Sequence, residues 1–258
     1  MPQTDDGDHP ELMVTPRYLA GGGNPAWITV PLHHAYGWRL THDLLRSRIT
    51  LHAPGHRAAL HLASGSQEPC WRIRHAPAPG IPAWNATFTA RAPVEIIAAV
   101  TDALTAPAGD DLPFAPLRRA LWPPVEDGSF QGQRSPDGYA RLGYTGDAAT
   151  GFWCASAALE DSPQGRVWEA VFDSATPPVF VAAFAHALAD AAPLPRAAAD
   201  VPARCRAHTS TTRTGPRPHG ADERLAARIA ALQHTGSTAP SPPPPQPSAQ
   251  RRPPPRPR

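Results

Sequence analysis

Histidines are the residues of this chain whose type and spacing first suggest chemistry, because imidazole binds metals and carries protons near neutral pH. There are 12 of them, and the densest set is His52, His56 and His61. Their spacing fits no single helix face, and the set spans a predicted hairpin turn. A second copy of the same unit, described below, has different residues at these positions, namely Arg134, Gly138 and Gly143. We therefore predict no metal site, with a metal bound by the first copy alone as the alternative.

Other catalytic signals are weak. The run of three glycines at 21–23 is not followed by the Gly-Lys-Ser/Thr of a phosphate-binding loop, so a turn is favoured over a phosphate cradle. The cysteines, Cys70, Cys154 and Cys205, are odd in number and lack a Cys-x-x-Cys spacing, which indicates a reducing compartment and no zinc site. No Gly-x-Ser-x-Gly motif and no paired carboxylates stand out. The sequence thus predicts no catalytic residues and no cofactor.

One basic feature occurs twice at the same place in both copies: His33-His34 in the first and Arg118-Arg119 in the second. We expect each pair on the first turn of a short helix, where it could contact an anion. A solvated helix face is the alternative. Trp38 and Trp122 follow these pairs and are candidates for the core or for the rim of a site. If the copies pack about a two-fold axis, the pairs would form one basic cleft at the seam between the copies.

An internal duplication organises the chain. Residues 31–104, the first repeat, and 116–188, the second repeat, are two copies of one unit. The best block aligns 83–104 with 167–188 without gaps and has 8 identities in 22 positions, including a tryptophan and a phenylalanine. We predict that each repeat contains a short helix, a four-stranded antiparallel sheet and a closing helix, which is an α+β fold.

Alternation and turn residues define the elements within each repeat. Trp84, Ala86 and Phe88 alternate as on one face of a half-buried strand. Pro93 and Pro177 are expected at the first position of the closing helices, with Thr176 as an N-cap. Residues 135–138 read Ser-Pro-Asp-Gly, a strong turn signal that predicts a hairpin between about 131 and 144.

Outside the repeats the sequence predicts less order. We expect a disordered N-terminus at 1–13, a first unit with its N-terminal extension at 14–108, a second unit at 109–195 and a largely disordered remainder at 196–258. Within the extension, 18–20 and 27–30 are predicted as short strands. Within the remainder, 221–234 is predicted as a helix. The last 19 residues, from Pro240, contain 10 prolines and four arginines, which is typical of a disordered Pro/Arg-rich tail.

Composition limits the possible functions. All 24 basic residues are arginines, and the net charge is only +2, so whole-chain charge gives no support to nucleic-acid binding. The acidic N-terminus lacks the apolar core of a signal peptide, and no 18-residue apolar run exists. We therefore expect a cytoplasmic protein with no membrane partner.

Three segments together resemble a known family. They are PRYLAGGGNPAW at 16–27, PLHHAYGW at 31–38, and PAWNATF followed by PVEIIAAVTDAL within 82–104. These segments are similar to the actinobacterial family known as domain of unknown function 317, whose members commonly carry the unit in tandem. The first repeat departs from the family's Ser-Pro-Asp turn, with Ala53-Pro54-Gly55 in its place. The resemblance implies neither an activity nor a cofactor.

The preferred interpretation is a non-enzymatic cytoplasmic binding or scaffold protein with an unknown protein partner. One alternative is an enzyme with an unrecognised site between the repeats. Another is a weak nucleic-acid or anion binder that uses the basic pairs and the basic tail, where arginines could contact phosphates.

Overall fold

A computed structural model describes residues 11–43, 48–63, 70–105, 111–147, 150–213 and 220–237. The fold is α+β, with a ten-stranded and a three-stranded antiparallel sheet. The strands are β1 (Glu11–Thr15), β2 (Arg39–Asp43), β3 (Arg48–His52), β4 (Ala58–Ala63), β5 (Cys70–His75), β6 (Trp84–Thr89), β7 (Pro124–Asp127), β8 (Phe130–Arg134), β9 (Ala140–Thr145), β10 (Phe152–Ala158), β11 (Arg166–Asp173), β12 (Leu194–Ala197) and β13 (Ser210–Arg213). The α-helices are α1 (Ala26–His34), α2 (Val94–Thr105), α3 (Ala115–Arg119), α4 (Pro178–Ala189) and α5 (Ala221–Ser237).

Each repeat contributes five strands to the large sheet, where the sequence predicted four. The first repeat supplies β2 to β6 and the second supplies β7 to β11. The outermost strands, β2 and β7, are short edge strands with polar sequences, Arg-Leu-Thr-His-Asp and Pro-Val-Glu-Asp. An edge strand of this kind buries little, so it leaves no apolar alternation in the sequence. The hairpin predicted around residues 135–138 is present between β8 and β9.

The two repeats join edge to edge through β6 and β11. Phe88 lies opposite Ala170, Ala86 lies opposite Phe172, and Thr87 lies opposite Val171. Corresponding residues of the repeats differ by 84 in number here. The pair of Phe88 and Ala170 therefore corresponds to the pair of Phe172 and Ala86. The strands are therefore related by a pseudo-two-fold axis that passes between Thr87 and Val171, and the ten strands form one continuous sheet.

Four helices cover one face of this sheet. α2 and α4 pack against each other at the centre, α1 packs beside α2, and α3 packs beside α4. The predicted inward face of β6 lies in the core, because Trp84, Ala86 and Phe88 are fully buried. Each large apolar side chain buried in this layer contributes roughly 1.5–3 kcal/mol. The opposite face of the sheet carries no described helix and is open.

The closing helices begin one residue later than predicted. α2 starts at Val94 and α4 at Pro178. Pro178, rather than Pro177, occupies the first helical position, where a missing amide hydrogen costs nothing. The Thr176 hydroxyl donates to the Asp173 carboxylate at 3.2 Å instead of capping α4.

The N-terminal extension is helical where strands were predicted. Residues Arg17–Leu19 form a short 3-10 helix, and residues 27–30 lie inside α1. The side-chain oxygen of Asn24 accepts the Ala26 amide at 2.9 Å, which satisfies a free N–H group at the start of α1. Local capping therefore overrides the β-branched residues that suggested a strand.

Segments predicted as disordered carry regular structure. β1 begins at Glu11 and lies between β12 and β13 in the small sheet. A 3-10 helix at Ala203–His208 also falls within 196–258. The helix predicted at 221–234 is present as α5, which extends three residues past its predicted end. Residues 1–10 and the proline-rich 238–258 lie outside the described residues. No helix in the described ranges is long and apolar enough to cross a membrane.

Candidate functional site

The repeated basic pairs lie at the ends of their helices, not at the beginnings. His33 and His34 are in the last turn of α1, and Arg118 and Arg119 are in the last turn of α3. A helix C-terminus carries partial negative charge, so cations there stabilise the helix rather than attract an anion. His33 Nδ1 lies 2.8 Å from the Trp38 carbonyl oxygen, and Arg119 pairs with Asp111.

The structure does not join the two basic pairs into one cleft. α1 and α3 are the outer helices of the layer, with α2 and α4 packed between them. Trp38 and Trp122 are 1% and 5% exposed and belong to the core. The predicted contact tryptophans therefore have a structural role.

The seam between the repeats is filled by aromatic rings. Phe88 and Phe172 meet with centroids 5.5 Å apart, and the Phe184 ring of α4 contacts both at 6.0 and 5.2 Å. All three side chains are fully buried. This packing leaves no room for a substrate among these rings, where the sequence suggested looking first.

The glycine run is a packed turn. A Cβ atom on Gly22 would lie 2.5 Å from the Ala90 carbonyl oxygen, and one on Gly23 would meet the Arg196 guanidinium. The Gly22 carbonyl also accepts the Val94 amide at 2.8 Å. These glycines therefore allow close backbone packing against α2, which leaves them unavailable as a phosphate cradle.

The described cysteines are poor nucleophiles. Burial raises the pKa of the Cys154 thiol, and burial likewise raises the pKa of Cys205. Both are free thiols. Since the thiolate is the reactive form, neither is activated for covalent catalysis at neutral pH.

The open face of the first repeat's sheet is strongly basic. Leu51, Leu60 and Ile73 point into the core, so the alternating positions on the same strands point outward. Register places outward residues side by side on neighbouring strands, in the row Thr50, His61, Arg72 and Thr87. Arg48 and Arg74 share this face, since each lies two residues from a member of the row. We call Arg48, His61, Arg72 and Arg74 the basic patch.

The basic patch surrounds a shallow cavity. Its volume is about 150 Å³, and it is lined by the four members of the patch and Ala63. His61 Nδ1 lies 3.0 Å from the Thr50 hydroxyl, within hydrogen-bond distance. Burial lowers the pKa of His61, and the nearby Arg74 and Arg48 lower it further. The imidazole therefore senses the unneutralised positive charge around it.

The arginines of the basic patch lack acidic partners. Among the described side chains, Arg48, Arg72 and Arg74 form no ion pair. On the open face of the second repeat two of the three arginines have acidic partners: Arg134 pairs with Asp161 at 2.8 Å and Arg166 with Glu169 at 2.9 Å, while Arg141 lies over the Phe130 ring. The cavity of about 290 Å³ on that face also has acidic walls, which are Asp127, Glu160 and Asp161. The two repeats thus present different charge on equivalent surfaces.

The comparison with known families fits the duplication. Residues 52–109 and 134–194 match the model of SPDY, a domain of unknown function (DUF317). The first match covers β4 to β6 and α2, and the second covers β9 to β11 and α4. No curated protein and no solved structure matches the chain significantly. The SPDY matches thus support two copies of one unit and assign no function to it.

The basic patch was missed by the interpretation of the sequence for two reasons. The whole-chain net charge of +2 does not reveal a local cluster of arginines, and comparison with the second repeat discounts histidines that only the first repeat has. The useful signal was local: Arg72 and Arg74 are two residues apart on a strand with buried Trp71 and Ile73 between and beside them. That spacing places both guanidinium groups on the solvent face.

Of the predicted histidine set, two members lie on this face. His52 is outward on β3 and His61 on β4, while His56 is in the intervening turn, with its ring 5.9 Å from that of His52. No group of three metal-ligating side chains is present in the ranges that the structure describes. These histidines lie beside arginines without described acidic partners. Because that positive charge repels a metal cation, the histidines are better placed to contact an anion.

Proposed function

We propose that the protein is a non-enzymatic binding protein whose first repeat captures a phosphate-bearing or similarly charged anion on the basic patch. The observation that carries the proposal is the group of three arginines around one cavity without a described acidic partner. Guanidinium groups donate paired hydrogen bonds to phosphate and carboxylate oxygens. An anion in the cavity would supply the charge compensation that the described side chains do not.

The contrast between the repeats supports this placement. The second repeat has the same fold and a comparable number of arginines on its open face, yet Asp161 and Glu169 neutralise two of them. Such intramolecular pairs compete with any external anion. The anion contacts that the sequence assigned to the helix pairs are therefore reassigned to the sheet of the first repeat.

The chemistry of the cavity supports binding rather than catalysis. Among the described side chains, no carboxylate or thiol lines the cavity, and the described neighbour of His61 within hydrogen-bond distance is the Thr50 hydroxyl. General acid–base catalysis by histidine usually needs a group that orients the ring and stabilises its charged form. Here the surrounding arginines oppose that charged form.

A cytoplasmic location is part of the proposal. The free thiols of Cys154 and Cys205 support it, since unpaired cysteines are typical of reducing compartments.

Isothermal titration calorimetry with pyrophosphate tests the proposed site. The variant Arg48→Gln/Arg72→Gln/Arg74→Gln removes three charges from exposed positions and should fold normally. We expect its affinity to fall by about 100-fold or more, since each charge-assisted hydrogen bond contributes roughly 1.5–3 kcal/mol.

The matched control is Arg134→Gln/Arg141→Gln/Arg166→Gln, which removes three arginines from the same face of the second repeat. It should bind pyrophosphate nearly as well as the unmodified protein. Equal binding by the unmodified protein and the first variant would refute the proposed site, and so would an equal loss in both variants.

A further inference from the structure

We infer that the anion recognised by the basic patch is short, a diphosphate or triphosphate group, and that long polyanions gain nothing from their extra length. This inference rests on the proposed function and concerns the size of the charged surface. It follows from the size of the patch, from the residues between it and the second repeat, and from the spacing of its donors.

The patch covers a small area. Its members lie on three adjacent strands, β3, β4 and β5. With about 4.8 Å between strands, this is a width of about 10 Å. Register places Arg48 in the row of Cys70, four residues along β5 from Arg74, which corresponds to about 13 Å. One strand of duplex DNA would place about four phosphates in that length, at about 3.4 Å each.

Charge reverses on the side facing the second repeat. β6 presents neutral Asn85, Thr87 and Thr89 outward, and β11 beyond it presents Glu169 and Asp173. The Asp173 carboxylate reaches back to β6, where it accepts the Asn85 amide at 2.7 Å. Arg74 is directly opposite Asn85. A polyanion that continued toward the second repeat would therefore leave the arginines behind, pass neutral β6 and approach the Asp173 carboxylate, while Glu169 beside it is paired with Arg166.

The patch also has no described Trp, Tyr or Phe side chain on which bases could stack. Proteins that bind single-stranded nucleic acid place aromatic side chains on the binding face. The large aromatic residues of these strands, Trp71, Trp84 and Phe88, are buried on the helix-covered face. The outward residues of β3 to β6 with described side chains are Arg48, Thr50, His52, Ala59, His61, Ala63, Arg72, Arg74, Asn85, Thr87 and Thr89. The main contacts that this face offers are therefore those of its guanidinium groups with phosphoryl oxygens.

The arrangement of the donors favours more than one phosphoryl group. Arg72 and Arg74 are two residues apart on one strand, about 7 Å between their Cα atoms. Arg48 approaches from two strands away, with His61 on the strand between them. A single phosphate offers oxygens to one or two of these guanidinium groups, whereas a chain of two or three phosphoryl groups can engage all three.

The test is a titration series with the full chain at fixed ionic strength. The ligands are inorganic phosphate, pyrophosphate, tripolyphosphate, ADP, and oligothymidylates of 4, 8 and 16 nucleotides. We expect affinity to rise at least about tenfold from phosphate to pyrophosphate or tripolyphosphate. ADP should bind much as pyrophosphate does, because no described Trp, Tyr or Phe ring lies on the patch for its base, and affinity per oligonucleotide should rise from 4 to 16 nucleotides only in proportion to the number of overlapping registers that the longer strand offers.

The outcomes separate the two proposals. Affinity that rises more steeply with oligonucleotide length than the number of registers does, and that falls in the patch variant, would overturn the short-anion inference and leave the anion site standing. Binding of no ligand in the series would overturn both. A variant of the border, Asp173→Asn, adds a second readout without releasing Arg166 from Glu169: it should strengthen binding of the 16-nucleotide strand and leave pyrophosphate affinity unchanged. Equal effects on the two ligands would contradict the proposed border.

Discussion

The rings of Phe88 and Phe172 meet edge to face, with centroids 5.5 Å apart, on either side of the axis that relates the two repeats. They are the same residue of the repeated unit. Each lies opposite an alanine of the other repeat, Phe88 opposite Ala170 and Phe172 opposite Ala86. The small partner makes room for the large ring in both directions. The interface between the repeats is therefore formed by equivalent residues of the two copies, and the two repeats share one core.

The first prediction is that Phe88→Ala destabilises both repeats together. Truncating a fully buried phenylalanine costs about 3–5 kcal/mol, because it removes apolar burial and leaves a cavity. Urea unfolding followed by tryptophan fluorescence and by circular dichroism should give one transition, shifted equally in both signals. Phe172→Ala should have a similar effect, since it lies across the axis.

Phe152→Ala is the matched control. Phe152 is on the open face of β10 and is 37% exposed. Its truncation should therefore lower the free energy of unfolding by about 1 kcal/mol or less, well below the loss in the core variants. Two separated transitions in Phe88→Ala would contradict a shared core, as would a stability equal to that of the control.

The sequence predicted the parts of this fold that bury an apolar face. The Trp84 to Phe88 alternation and the closing helices were found because burial imposes a period on the residues. The fifth strand of each repeat was missed because β2 and β7 are exposed on the sheet edge. The pairing of β1 with β12 and β13 joins residues nearly 200 apart, and no local pattern encodes such contacts.

The candidate site was predicted less well than the fold, for a physical reason. Comparing the repeats identifies what the unit needs in order to fold, and it discounts whatever one copy has alone. Arg72 corresponds to Cys154 across the axis, since both lie opposite the central pair of Thr87 and Val171. A function gained by one repeat after duplication is therefore indicated by the positions at which the two repeats have different residues.

The second prediction concerns the buried ion pair between Arg196 of β12 and Glu95 of α2. Two guanidinium nitrogens of Arg196 donate to the Glu95 carboxylate at 2.8 and 2.6 Å, and Arg196 also donates to the Gly21 carbonyl at 3.2 Å. The Arg196 side chain is 3% exposed. We expect Arg196→Met to cost about 3–5 kcal/mol, because it leaves the carboxylate buried without a counter-charge.

The double variant Arg196→Met/Glu95→Leu separates charge from packing in this pair. Removing both charges should recover most of the loss, since apolar replacements of a buried pair are often neutral. Urea unfolding provides the free energies of a double-mutant cycle. A double variant as unstable as the sum of the single variants would show that the two side chains act independently.

The third prediction concerns stability and pH at His61. Burial, and then Arg74, Arg48, His52 and Arg72, lower the pKa of His61 from its ordinary value of 6.5. Below pH 6.5 the unfolded chain therefore binds a proton that the folded chain does not take up until lower pH. Stability should fall as pH drops through 6.5 toward the lower folded pKa, and be fully present above 6.5.

His61→Gln isolates this contribution from those of the other histidines. Its unfolding free energy, measured in urea from pH 7.5 to 5.0, should decline less than that of the unmodified protein. His186→Gln serves as control, since this histidine lies on α4, remote from the basic patch, and should keep the original slope. A slope in His61→Gln as steep as in the unmodified protein would contradict the prediction.

The fourth prediction joins the same histidine to anion binding. A bound anion offsets the charge of Arg48, Arg72 and Arg74, which together with burial holds His61 neutral. The pKa of His61 must then rise on binding, and a proton is taken up when the pH lies near or below 6.5. Protonation of pyrophosphate itself lowers its charge and weakens binding. After correction for that effect, pyrophosphate affinity should increase from pH 7.5 to 5.5. Calorimetry in two buffers of different ionisation enthalpy measures the proton uptake directly. His61→Gln should bind without that part of the uptake, and an unchanged uptake in this variant would place the proton elsewhere.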